Sequence, residues 1–190
     1  MNMKKLLAVF LCAVLLFTGV IAQAGEAFVP EAFKDAIMAE LTEYYASVAP
    51  IMTLELSEDS VINISMSGAP VGAVYFDHVN EDGTVNSEGQ LNHLSLLLLA
   101  TGSDEDSIKA YLALYGVLTG IVKHILYPET DMVDCAKDAL AGLQDASNSG
   151  EENTRTKKAD NGAYCEEYGL SALSEEMIML SYQAKVIGLD

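Results

Sequence analysis

Apolar residues along this chain recur at two different spacings, and the switch between them marks out the elements. Beyond an apolar run from Leu6 to Ile21, residues Phe33, Ile37, Leu41, Tyr44 and Val48 return every three or four positions, with Pro30 where a first helical residue often sits. That spacing predicts an amphipathic helix ending near Ala49-Pro50. From Ile51 the period becomes two: Met52, Leu54 and Leu56 alternate with Thr53 and Glu55, and Val61, Ile62 and Ile64 form a second run beyond a turn at Ser57 to Ser60. A third strand is predicted over Gly72 to Val79, followed by a hairpin turn at Asn80-Glu81-Asp82-Gly83, since Asp-Gly tolerates the positive φ such turns demand. The returning strand is predicted from about Gln90 to Ala100, through Leu91, Leu94, Leu96 and Leu98.

Thr101 to Glu105 interrupts the alternation, and Ser103 with Asp106 three residues later resembles a capping box. A helix is expected from about Asp104 to Leu126, ended by Tyr127-Pro128. Its stretch Ala110 to Val122 is apolar nearly all round, with Gly116 and Gly120 included, which predicts a buried helix from a run too short to cross a membrane. A further helix over Asp131 to Leu143 carries Met132, Cys135, Ala136, Ala139, Leu140 and Leu143 on one stripe, turning Cys135 toward the core. Ala146 to Ala159 reads as a polar loop leading into an edge strand. Strands are expected over Ala163 to Tyr168 and Glu176 to Ala184, the latter with helix as a competitor because Glu, Met, Leu, Gln and Ala favour it. Strands that follow one another directly pair as hairpins, so the order predicts one α+β domain over residues 25–190. It is expected to hold a mainly antiparallel sheet of six to seven strands with two to three helices on one face.

The N-terminal run changes where this domain is expected to work. Lys4 and Lys5, the apolar stretch and Ala22-Gln23-Ala24 have the charged start, greasy centre and small-x-small exit of a secretory signal peptide over residues 1–24. Its apolar centre of about 16 residues falls short of the ~20 that a spanning helix needs, so cleavage before Gly25 is expected and no membrane span thereafter. The formal charge of −18 becomes −20 once Lys4 and Lys5 are gone. Such a charge repels nucleic acid and anionic lipid, and it accounts for solubility without a specific cationic partner. Of three cysteines only Cys135 and Cys165 survive cleavage. In an oxidising compartment they are expected to form one disulfide, with two free thiols as the alternative.

Candidate chemistry is sparse. Aligned on Gly83, residues Asn80, Asp82 and Asn86 stand at oxygen-ligand spacings of a calcium loop. His78 replaces the first Asp and Gly89 the bidentate Glu, so the segment reads first as a hairpin turn. His78, His93 and His124 fall on three elements without a zinc pattern, and His124 is expected to complement a helix C-terminus. No G-x-S-x-G elbow occurs, and Ser65-Met66-Ser67-Gly68 reads as a polar turn between strands. Acidic pairs, Glu166-Glu167 among them, are assigned to helix starts and loops, and the basic cluster Arg155, Lys157 and Lys158 to a solvated strand end. Tyr111 and Tyr115 are expected in the core. No cofactor is called for.

These features favour a non-enzymatic exported domain that binds a ligand or another protein. A secreted hydrolase whose residues meet only in three dimensions is the alternative, and a cell-surface structural or assembly component the third. An apolar concavity with a few convergent polar groups is the mark of the first.

Overall fold

The computed structural model describes residues 28–57, 61–79, 90–102, 104–149, 154–161 and 164–186. Helix α1 (Pro30–Tyr44) begins with its proline at N1, where the missing N–H has no intrahelical partner to lose, and it buries Phe33, Ile37 and Leu41 along one stripe. A 3-10 turn at Ala49–Ile51 leads into four successive strands, β1 (Met52–Ser57), β2 (Val61–Met66), β3 (Ala69–Val79) and β4 (Gln90–Thr101). Helices α2 (Glu105–Leu126) and α3 (Met132–Asn148) follow, and β5 (Thr154–Asn161), β6 (Tyr164–Ser174) and β7 (Met177–Val186) complete the fold. All seven strands form one antiparallel sheet in the order β1-β2-β3-β4-β7-β6-β5. This is the expected α+β architecture, and β7 is a strand.

Two meanders are therefore joined along β4 and β7, in register from His93 opposite Lys185 to Thr101 opposite Met177. Alternation sets the two faces of the sheet. Leu94, Leu96 and Leu98 of β4 and Leu180, Tyr182 and Ala184 of β7 are buried under the helices, whereas Gln183 and Lys185 point to the uncovered side. The turn between β2 and β3 is tight: Ser67 and Gly68 both take positive φ, at 51° and 79°, as a two-residue hairpin connection requires.

Several boundaries move for identifiable reasons. The cap of α2 is Asp104, whose carboxylate accepts from the Ser107 N–H at 2.9 Å and from its hydroxyl at 2.6 Å. These bonds hold the Asp104 carboxyl below its ordinary range. Asp131 caps α3 through the Val133 N–H at 2.8 Å, and α3 runs past Leu143 to Asn148 because Ala146 prolongs its buried stripe. Glu166 and Glu167 lie in β6, inside the strand expected over Ala163 to Tyr168, and not in the loop or helix start assigned to acidic pairs.

The expected disulfide is absent. Cys135 is buried beneath α3, while Cys165 is exposed and alternates with the inward-facing Tyr164 and Glu166, so the sheet stands between the two thiols. Residues 1–24 and the calcium-like positions Asn80, Asp82 and Asn86 lie outside the described residues. Helix α2 as a whole is long and apolar enough to cross a membrane by length and composition; in this fold its C-terminal half is buried.

Candidate functional site

Helices α2 and α3 approach each other closely, and that contact creates both notable features of the covered face. A Cβ placed on Gly120 would stand 2.9 Å from Ala136 Cα, and one on Gly116 would stand 3.1 Å from the Leu140 side chain. Farther along α3, Gly142 has the Tyr168 ring lying where its Cβ would be, at 2.6 Å. Glycine at these positions allows the helices to pack tightly toward one end and lets an aromatic ring slide beneath α3.

At that end lies a buried charge cluster. Lys123, on α2, is 1% exposed, and its Nζ is 2.9 Å from both carboxylate oxygens of Glu166, itself 1% exposed on β6. Nζ also donates to Tyr168 Oη at 2.6 Å and to Asp138 Oδ2 on α3. The Tyr182 hydroxyl donates to Glu166 Oε1 at 2.5 Å, and that of Tyr168 lies 3.0 Å from Glu166 Oε2. The rings of Tyr168, Tyr182 and Tyr127 surround the ammonium at 5.2, 5.7 and 5.8 Å. Burial, reinforced by the Glu166 charge, pushes the Tyr168 and Tyr182 hydroxyls far above their ordinary range, so both remain donors. A buried ion pair is tolerated only when its remaining hydrogen-bonding capacity is met, and here two tyrosines and a second carboxylate meet it.

Toward the other end the helices part from the sheet. An apolar cleft of about 370 Å³ opens between α2, α3 and the strands, with Ile108, Leu112, Leu143, Leu170, Ile178 and Leu180 in its walls. Its polar groups are few: Tyr111, Gln144 and Ser147, and among the described residues no charged side chain lines it. Tyr111, only half-buried, is steadied by a 3.1 Å hydrogen bond between its hydroxyl and Thr101 Oγ1. It also borders a second apolar groove on the opposite flank of α2, with Val48, Ile51, Met66 and Leu114. Tyr115, one turn on, is fully buried and donates to the Ser181 carbonyl at 3.0 Å.

No family model, curated protein or solved structure matches this chain. The site is therefore read from its geometry.

The uncovered face carries a polar hollow containing His93, Asp77, Gln183, Cys165, Lys158 and Lys185. An irregularity in the pairing of β3 and β4 at Asp77 and His78 displaces the register beside Asn92 and His93. His93 Nδ1 lies 3.4 Å from Asp77 Oδ2, while its Nε2 lies 3.1 Å from Gln183 Oε1 and 3.3 Å from Ser95 Oγ. Serine, histidine and aspartate thus fall in a row. The Gln183 amide shares Nε2 with Ser95, so the serine does not have that nitrogen to itself. Cys165 shares the hollow, beside the ion pair of Lys158 with Glu167 at 3.0 Å.

His124 does more than complement its helix end, since its Nδ1 lies 3.0 Å from Glu40 Oε2 and ties α2 to α1. Among the described residues no group of three or more His, Cys, Asp or Glu side chains is arranged to hold a metal ion. Lys123 and Glu166 escape sequence reasoning because a lysine after an apolar helical run and one half of an acidic pair are ordinary surface residues. Their signal is positional: Glu166 sits midway between the inward-facing Tyr164 and Tyr168.

Proposed function

We propose that this is an exported binding protein whose ligand is a small, uncharged, apolar molecule held in the cleft between α2, α3 and the sheet. The observation that carries this reading is a concavity of about 370 Å³ walled by aliphatic side chains, with tyrosine, glutamine and serine as its polar groups. Pockets of roughly 300–1,000 Å³ with this balance are the usual form of small-molecule sites. If each non-hydrogen atom takes about 30 Å³, the share of a water molecule in the liquid, the cleft accommodates roughly a dozen of them. An anionic ligand is disfavoured twice, by a lining without cations and by the net charge of the chain, −18 before any cleavage.

The test is a fluorescence titration with the uncharged dye 2-naphthol, whose eleven non-hydrogen atoms match the roughly dozen the cleft accommodates, followed by competition with decanol. Saturable binding that decanol reverses is expected, and Ile178→Trp, which fills the cleft from β7, should weaken it at least tenfold while leaving the circular dichroism spectrum unchanged. Binding unaffected by Ile178→Trp, or none at all, would refute this reading.

A further inference from the structure

We propose that Lys123 and Asp138 become joined by an intramolecular amide bond, with Glu166 as the proton carrier, so that α2 and α3 are covalently tied. Three groups such a reaction needs already meet at one point. The Lys123 amine touches Asp138 Oδ2 and stands 2.9 Å from each oxygen of Glu166. Reacting groups fixed this way gain effective molarities of about 10⁵–10⁸ M over the same groups free in solution. The three tyrosine rings around Nζ shield the amine side of the cluster from water.

The step balances without any other reactant. Nζ gives up a proton to Glu166, and the resulting amine attacks Asp138 Cγ to form the C–N bond. The bond from Cγ to one carboxylate oxygen then breaks. That oxygen departs as water with the two protons that left Nζ, each passed on by Glu166 through the Tyr168 hydroxyl, which lies 3.0 Å from Glu166 Oε2 and 3.2 Å from Asp138 Oδ2. One ammonium and one carboxylate become an amide and a water, Glu166 ends ionised as it began, and nothing is oxidised or reduced. Tyr168 has a single hydroxyl hydrogen, so its donation passes from Glu166 Oε2 to Asp138 Oδ2 once Glu166 has taken a proton from Nζ.

The carboxyl that reacts is Asp138, not Glu166. Both Glu166 oxygens are engaged by tyrosine hydroxyls, and its side chain is only 2% exposed, leaving no path for a departing water. The Asp138 side chain is 59% exposed and opens to solvent on its far side.

Intact-mass spectrometry of the purified protein, unfolded and reduced, with its N-terminus fixed by sequencing, tests the proposal. The chain should weigh one water less than its sequence mass, and proteolysis should release a branched peptide linking residue 123 to residue 138. Asp138→Ala, a change at a largely exposed position, should restore the full sequence mass in a folded protein, and Glu166→Gln should do the same or leave only a minor bonded fraction. A wild-type mass equal to the sequence mass overturns the proposal. So does a lost water mapped to residue 166 or elsewhere, or one that persists in Asp138→Ala.

Discussion

Two cysteines that look equivalent in the sequence occupy opposite chemical situations. Cys165 stands exposed on the uncovered face, whereas burial pushes the Cys135 thiol up to about 11 from an ordinary 9.0. Ellman's reagent should therefore titrate Cys165 in the native protein at neutral pH and reach Cys135 only after unfolding; two rapidly reacting thiols in the native state would contradict the burial. The same shift makes stability depend on pH. Between about 9.0 and about 11 the unfolded chain has released the Cys135 proton while the folded chain retains it, so stability present below that window falls as pH rises through it. Tyr115, Tyr168 and Tyr182, all raised by burial from an ordinary 10.0, act in the same direction from that pH upward and add to the effect of Cys135. Denaturant midpoints measured at neutral pH and above 10 should differ in that sense, by roughly 1–3 kcal/mol for a shift of one to two units at a single group. Apolar stripes announced Cys135 as a core residue, but the inward turn of Glu166 and Lys123 was hidden, because a residue's type says little about its orientation until strand register and helix rotation are known.

At the scale of elements, the fold depends on a close helix pair and on well-formed turns. Gly120→Val would force two methyl groups into the Ala136 backbone, already 2.9 Å from a Cβ at that site, and should destabilise by about 1–3 kcal/mol in urea unfolding. Little change would mean that α2 and α3 have room to separate. Ser67→Asn should raise stability by a few tenths of a kcal/mol, since asparagine accepts the positive φ at position 67 more readily than serine; a loss of stability would show that the turn is held by something other than backbone preference. Most elements were legible in the hydrophobic pattern: the three-and-four spacing of Phe33, Ile37 and Leu41 marked α1, and alternation marked β1 to β4, whereas β5 (Thr154–Asn161) falls largely in the segment read as a polar loop because it has hardly an apolar residue to alternate. The ends were less so. The last turn of α3, through Ser147 and Asn148, uses polar residues that also suit a loop, and the N-cap fell to Asp104 instead of Ser103 because several capping residues stand together there.

For the molecule as a whole, the sheet separates two unlike surfaces. The covered face combines a locked end, where Lys123, Glu166 and Asp138 fasten the helices over β6, with an open end, where Tyr111 stands between two apolar hollows. Rigidity at one end beside unfilled volume at the other suits ligand capture, because the walls do not have to be ordered when the ligand enters. The cleft itself could not be read from the chain. Ile108, Leu112 and Ile178 belong to stripes that predict packing, and only the divergence of α2 and α3 from the sheet leaves space between them. The most direct test is a methyl-resolved NMR titration of the purified protein with decanol. Saturable shifts concentrated on Ile108, Leu112, Leu143, Leu170 and Ile178 are predicted; shifts confined to exposed residues such as Leu99 and Leu173, or none at the solubility limit of the alcohol, would contradict the account.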